Sequence, residues 1–350
     1  MRRAVFAAVV LGCAWPAVSA GQPAGAPRAK PKAPDPPALT VAASVDGGVL
    51  ALRVENKSEA TLEALASASL LSLEITPPAP AQPRAPKKPA VRCAVDAPSP
   101  GAAARLVVPK GRSFTVKAPL AFLCFGARER AALAAGGSVA VRYGRGGDTV
   151  VTPIGGAAEP ELAAVKELRP APFDLPPAAP AAPVPAPPSP PASATLPPLP
   201  QELSIVGPER IDSARGDEIP ITATVTNETR ATITAYVRSA TVGARVETPS
   251  GRAVSCGPSR SITPIRELYT YLPGKGRTQV SFRAELSCPE DTFDETGLYK
   301  LVPVLDTRKA AGGPPPLRPF EGVVWSTKPT EVRVRAGQRP PPRPALDPAP

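Results

Sequence analysis

Two stretches of this chain spell out the same order of features, and that duplication limits the fold more than any other property. Near residue 56 the sequence reads Leu52-Arg53-Val54-Glu55-Asn56-Lys57-Ser58; near residue 227 it reads Ala223-Thr224-Val225-Thr226-Asn227-Glu228-Thr229. Each stretch is followed by a cysteine, a Gly-Arg turn and a second cysteine: Cys93, Gly111-Arg112 and Cys124 in the first, Cys256, Gly276-Arg277 and Cys288 in the second. The cysteine separations are 31 and 32 residues. Four cysteines allow three connectivities, and the duplication selects one, because each copy carries its own pair. The expected bridges are Cys93–Cys124 and Cys256–Cys288. A metal site is the competing reading, but the chain has no CxxC and no histidine, which leaves zinc few ligands.

The N-terminus sets the expected compartment. Met1-Arg2-Arg3 precedes an apolar run over residues 4–15, then Pro16 and the small-residue site Val18-Ser19-Ala20. This is the pattern of a secretory signal peptide, residues 1–20, cleaved after Ala20. The alternative is lipidation at Cys13, since Val10-Leu11-Gly12-Cys13 resembles a bacterial lipoprotein box, although Leu11 is bulky for its place. No other stretch has the ~18–20 uninterrupted apolar residues of a membrane helix. Export to an oxidising compartment, periplasmic or extracellular, agrees with an even number of cysteines beyond Cys13.

Composition divides the chain. It holds 52 prolines among 350 residues, so much of it cannot be compact. Residues 21–38 read as a disordered Ala/Pro-rich leader, and 338–350 as a disordered tail. Residues 156–200 read as a linker, with 14 prolines between positions 170 and 200. Such a run is a semi-rigid polyproline spacer reaching up to about 90 Å, and two domains, 39–155 and 201–337, are expected to be held apart by it. Within them, alternating stretches at 48–54, 138–143, 219–225, 241–247 and 252–256 predict strands. Further strands are expected at 278–286, 298–305, 323–326 and 331–335. Thr248-Pro249-Ser250-Gly251 makes a hairpin turn by composition. Short helices are expected at 128–134 and 161–168. An insertion between Pro77 and Pro89 has no counterpart in the second copy and reads as a long hairpin loop.

The fold class predicted is all-β, with two tandem antiparallel sandwiches. Glu295-Thr296-Gly297-Leu298-Tyr299 resembles the acid-x-Gly-x-Tyr tyrosine corner of immunoglobulin-like domains, in which the hydroxyl closes a backbone corner. Together with Val225-Thr226-Asn227-Glu228-Thr229 and Leu272-Pro273-Gly274, it is similar to bacterial extracellular Ig-like modules, among them the secreted proteinase-inhibitor type. The resemblance implies an Ig-like fold over roughly 100 residues of the second copy. In the first copy Gly136-Gly137-Ser138-Val139 stands where the tyrosine motif belongs.

Little in the sequence points to catalysis. Without histidine the commonest general base and the Ser-His and Cys-His pairs are gone, and the four paired cysteines leave no thiolate. No catalytic residue, cofactor or metal is expected. The acidic run Glu290-Asp291-Thr292-Phe293-Asp294-Glu295 could supply oxygen ligands to calcium, but it lacks the EF-hand pattern, and the plainer reading is a solvated loop. Residues 41–155 carry 14 basic and 8 acidic groups, a net of +6, against +2 for 201–337. Arg84, Lys87, Lys88, Arg128, Arg130, Arg142 and Arg145 form the candidate patch for an anionic partner; the alternative is that scattered cations keep the surface soluble. Aromatics are 4% of the chain, so nucleic acid is not the expected partner. Trp325 and Tyr299 read as core residues, and Tyr269 and Tyr271 as sharing a strand face. Asn56-Lys57-Ser58 and Asn227-Glu228-Thr229 match the glycosylation pattern, yet their recurrence is better explained by a strand-ending turn in left-handed geometry.

The expected function is that of a secreted, non-catalytic binding or structural protein of the bacterial envelope, with a protein or an anionic cell-surface polysaccharide as partner. The alternatives are a secreted proteinase inhibitor or envelope chaperone using residues 77–89, and an envelope lipoprotein anchored through Cys13.

Overall fold

In the computed structural model the chain is mostly β, built of several antiparallel sheets. The structure describes residues 34–78, 89–95, 104–145, 148–154, 162–177, 202–257, 265–310, 318–336 and 346–347. The signal-peptide and Cys13 readings, residues 79–88 of the insertion with Arg84, Lys87 and Lys88, and the proline run from 178 to 201 lie outside them.

The first half begins with β1 (Leu39–Asp46) and β2 (Val49–Asn56), a tight hairpin over Gly47-Gly48. Then come β3 (Thr61–Ala66), a 3₁₀ turn at Ala68–Leu70, β4 (Leu71–Thr76), β5 (Val91–Ala94), β6 (Ala104–Val108) and β7 (Ser113–Pro119). Helices α1 (Leu120–Leu123) and α2 (Ala127–Ala135) follow, then β8 (Gly137–Tyr143), β9 (Val151–Ile154) and β10 (Phe173–Leu175). The strands form three sheets ordered β1-β2-β7, β10-β8-β4-β5 and β6-β3-β9. Period-2 alternation sends Leu50, Leu52 and Val54 of β2 and Leu71, Leu73 and Ile75 of β4 inward. Together with Phe114, Leu123 and Val141 they fill the first core.

The second half repeats this plan with β11 (Leu203–Val206), β12 (Arg210–Arg215), β13 (Pro220–Asn227) and β14 (Ile233–Ala235), a 3₁₀ turn at Ser239–Thr241, β15 (Val242–Glu247), β16 (Ala253–Cys256), β17 (Thr270–Leu272) and β18 (Arg277–Arg283). Helix α3 (Ala284–Ser287), β19 (Gly297–Asp306), β20 (Val323–Trp325) and β21 (Thr330–Ala336) complete it. The sheets are β11-β13-β18, β12-β21-β19-β15-β16 with β20 on β19, and β14-β17. β12 runs parallel to β21; every other pairing between these strands is antiparallel. The hairpin at 248–251 forms as its composition predicts, with the Thr248 amide donating to Arg252 and the Gly251 amide to Thr248. A separate core forms around Ile221, Val246, Tyr299 and Leu301.

Register shows how closely the halves correspond. Leu73 faces Cys93 as Ala244 faces Cys256, and Ser138 faces Thr76 as Lys300 faces Glu247. The two disulfides, Cys93–Cys124 and Cys256–Cys288, therefore join equivalent points, with Cα separations of 4.7 and 4.2 Å. Asn56 and Asn227 also act alike. The Asn56 amide group donates to the Ala60 and Val108 carbonyls at 2.8 and 2.9 Å, and that of Asn227 to Ala231 and Leu272 at 2.7 and 3.0 Å. Ser58 and Thr229 return hydroxyl and amide donors to the asparagine carbonyls. Both asparagines are 1% exposed or less, so each is a side-chain knot that ties the end of a strand to the facing turn, with its amide nitrogen committed. Neither takes the left-handed backbone the sequence suggested; among the described residues other than glycine only Lys275 has positive φ.

Several expectations are corrected. Helix α2 forms as expected at 128–134, but the described residues 162–168 are extended: Val165 bridges to Val151 and Leu168 to Tyr143. Residues 162–177, assigned to the linker, belong to the first half, where β10 covers the edge of β8 and Leu168 is buried. Pro170 and Pro172 precede this edge strand, where an absent N–H costs no ladder bond. Trp325 is 46% exposed, because β20 turns Val324 inward and alternation sends its neighbour out. Tyr269 and Tyr271 do not share a face. Tyr271 is 57% exposed on β17, while Tyr269 lies just before it, buried edge-on against Tyr236 at 5.2 Å with its hydroxyl donating to the Ala310 carbonyl.

Candidate functional site

The two halves touch, rather than standing apart on a spacer. Contact is made by the turn between α1 and α2 of the first half and by β12 and β21 of the second. Cys124 lies in that turn, and its bridge to β5 fixes the turn that carries Phe125 and the end of α1 that carries Phe122. Opposite it, β21 places Arg333 beside Asp212 of β12, its direct partner in the parallel register.

Arg333 is the centre of the junction and is only 8% exposed. Its Nε and Nη2 donate to the two carboxylate oxygens of Asp212 at 3.0 and 2.5 Å, the two-pronged arrangement that suits a planar guanidinium. Its Nη1 donates across the junction to the Phe122 carbonyl at 3.1 Å, and its guanidinium lies 4.7 Å from the centre of the Phe125 ring. Arg130 of α2 reaches the other way to Glu331 Oε2 at 2.5 Å, with its own guanidinium 5.8 Å from the same ring. Leu298 of the second half packs against the first core. A buried charge is costly unless it is paired and hydrogen-bonded; Arg333 has both kinds of partner, one from each half.

Beside this clasp opens a cleft of about 640 Å³. The first half lines it with Phe125, Glu129 and Arg92, and the second with Arg210, Asp212 and Arg333. Arg92 also lines a smaller cleft of about 270 Å³ with Glu74 and Arg142, so it borders both depressions. Arg210 donates to Glu209 at 2.6 Å. The lining holds three guanidinium groups, of Arg92, Arg210 and Arg333, against the carboxylates of Glu129 and Asp212, a balance that suits a polar ligand carrying negative charge.

Of the basic residues singled out from the sequence, Arg128, Arg130, Arg142 and Arg145 are among the described residues, and their surroundings differ. Arg128 and Arg130 share α2, but Arg128 is exposed whereas Arg130 is drawn into the junction. Arg142 on β8 pairs with Glu74 at 3.2 Å and approaches Glu167 at 4.0 Å. Arg145 donates to the Val95 carbonyl. A hydrogen bond from Arg169 holds Glu167 below the usual carboxylate range. Arg92, Arg210 and Arg333, which line the cleft, carry no mark in the sequence that sets them apart from other arginines. Arg333 sits in Glu331-Val332-Arg333-Val334-Arg335, whose alternation reads as an ordinary solvent-facing row.

In the acidic run, Asp291 accepts from Arg252 at 2.9 Å and Glu295 from Ser250 at 3.2 Å. Among the described residues no group of three or more acidic or cysteine side chains is placed to hold a metal ion, and no helix among them is long and apolar enough to cross a membrane. The run leads into the corner expected from the sequence. The Tyr299 hydroxyl donates to the Glu295 carbonyl at 2.6 Å and accepts from its amide at 3.0 Å. Burial raises the pKa of this phenol, and its ring packs 5.1 Å from that of Phe293. Comparison of the chain with protein-family models and with curated proteins finds no match.

Proposed function

We propose that this is an exported, non-catalytic binding protein of the bacterial envelope, made of two tandem Ig-like modules, with its ligand site in the cleft between them. The observation that carries the reading is the pair of disulfides at equivalent points of the two halves. Such bridges persist where the surroundings are oxidising. They also engage all four cysteines beyond Cys13, so no thiolate remains among them for chemistry. The Ig-like part rests on the Tyr299 corner and on the strand order of the second half. There β11-β13-β18 opposes β12-β21-β19-β15-β16, and the corner tyrosine lies near the start of β19.

The ligand class follows from the cleft lining. Three guanidinium groups, from Arg92, Arg210 and Arg333, share the space with two carboxylates and the Phe125 ring. An anionic cell-surface polysaccharide fits that balance, since the guanidinium groups outnumber the carboxylates in the lining and spaced carboxylates of the polymer can meet the excess cation.

Two measurements test this reading. Intact mass and non-reducing peptide mapping of the exported protein should give an N-terminus at Gly21 and both bridges; a lipid mass on Cys13 or a free thiol rejects the export route stated here. Binding to alginate, a soluble polycarboxylate, should weaken steeply with salt and fall several-fold in Arg92→Ala. Binding that ignores salt, or that Arg92→Ala leaves unchanged, rejects the cleft as the site.

A further inference from the structure

The strand β7 ends the β1-β2-β7 sheet, so its outer backbone groups face no strand of that sheet. An open edge of this kind is a template for another extended segment. Here it is taken by the chain's own C-terminal region. Leu346 forms an antiparallel bridge with Phe114, the Asp347 amide donates to the Ser113 carbonyl at 2.9 Å, and Leu346 packs against the first core. The tail read from sequence as disordered is therefore docked at these two residues.

The docking engages a carboxylate. Ser113 Oγ donates to Asp347 Oδ2 at 2.7 Å and Thr115 Oγ1 to the same oxygen at 3.1 Å. Arg53 Nε lies 3.7 Å from that oxygen and also donates to Ser113 Oγ at 3.2 Å. Two hydroxyls and a guanidinium thus converge on one acid while the backbone adds a strand bond beside it. The second half has an equivalent edge in β18 but not the equivalent groups. Register places Arg277 where Ser113 stands, Gln279 where Thr115 stands and Thr224 where Arg53 stands. The tail therefore has one chemically fitting edge of the two.

We propose that the β7 edge is a binding site for an extended peptide bearing an apolar residue followed by aspartate, and that the C-terminal Leu346-Asp347 segment of the same chain fills it. Ser113, Thr115 and Arg53 read the carboxylate, and the β7 backbone reads the extended main chain. A tethered segment acts at an effective concentration of about millimolar, so an incoming peptide with an affinity of about 0.1 mM meets a site that is about nine-tenths closed.

The test uses the full chain and a fluorescent peptide copying residues 341–350. The natural chain should bind it about tenfold more weakly than the full chain carrying Leu346→Ala and Asp347→Ala, in which the tail no longer competes. The same peptide carrying Asp347→Asn should lose about tenfold toward the substituted chain, because charge-assisted bonds become neutral ones. That control compares two peptides on one and the same chain, so folding does not enter. Equal binding by the two chains overturns the claim that the tail fills the site. Absence of binding to the substituted chain, or indifference to the Asn peptide, overturns the site itself.

Discussion

At one point in each half a 3₁₀ turn leaves the same two backbone groups needing a partner, and the halves answer with different residues. In the first half the groups are the Leu65 carbonyl and the Ser67 amide, and the Tyr143 hydroxyl serves both, at 2.6 and 3.1 Å. In the second they are the Tyr236 carbonyl and the Arg238 amide, and the Thr241 hydroxyl serves both, at 2.9 and 3.3 Å. Tyr143 comes from across the sheet, at the end of β8, whereas Thr241 comes from within the turn. The fold thus requires a hydroxyl at that point in space, not a residue type at that point in sequence. A buried backbone group left unpaired is what the fold cannot tolerate, and either side chain prevents it.

The corner tyrosine tells the complementary story. Register puts Gly137 at the place of Tyr299, and a Cβ at Gly137 would collide with the Thr76 carbonyl. The first half therefore cannot hold a tyrosine there. Its buried phenol lies six residues on, at Tyr143, where register matches Leu305 of the second half.

The disulfides give the largest effect with which to probe this correspondence. Each closes a loop of nearly the same length, so on the chain-entropy account each should contribute about 3–4 kcal/mol. Replacing Cys93 and Cys124 by alanine, or Cys256 and Cys288 by alanine, should lower stability by similar amounts in urea denaturation. Only the first pair should also loosen the junction, because Cys124 anchors the end of α1 bearing Phe122 and the turn bearing Phe125. A much smaller loss for one pair would break the equivalence of the halves at its most legible point.

The hydroxyl exchange comes next. Tyr143→Phe and Thr241→Val each strand one carbonyl and one amide, so each should cost about 1–3 kcal/mol. The two differ in alkali. Burial raises the pKa of Tyr143 above its ordinary value, as it does that of Tyr299. Stability from these phenols is complete below the unfolded tyrosine value of ~10 and is lost as pH rises above it, because only the unfolded chain then ionises. Tyr143→Phe should therefore flatten the alkaline decline of stability and Thr241→Val should leave it steep. Equal alkaline profiles in the two variants would show that the phenol is not the group titrating.

Legibility in the sequence follows the range of the interaction involved. Strands such as 219–225 and 298–305 show because alternation is a local record of which face is buried. The bridges show because duplication reduces three pairings to one. The Tyr299 corner shows because its hydroxyl bonds only four residues back. Tyr143 does not, because its partners lie more than 70 residues away, and nothing near Tyr143 announces them. β10 is hidden for a different reason: the prolines around it read as a spacer, although an edge strand tolerates them. The clasp was the least legible part, since whether an arginine in an alternating strand faces water or a neighbouring surface is decided by that surface.

Arg333 gives the finest test of how the halves differ, because it belongs to the second and caps a carbonyl of the first. Asp212 retains 39% side-chain exposure, so water screens that pair, and Arg333→Ala should cost only about 1 kcal/mol of overall stability. Its effect should fall on geometry instead. Without the guanidinium the Phe122 carbonyl loses its cross-junction donor and the Phe125 ring loses the nearer of its two cations, leaving the Arg130–Glu331 pair and the apolar contact of Leu298 to hold the junction. Small-angle scattering should then show a larger radius of gyration for Arg333→Ala than for the natural chain. Arg333→Lys should fall between them, since an ammonium can neutralise Asp212 but cannot bridge both its oxygens and the carbonyl in one plane. An unchanged scattering curve for Arg333→Ala would mean that apolar contact through Leu298, not the charged clasp, sets how the halves meet.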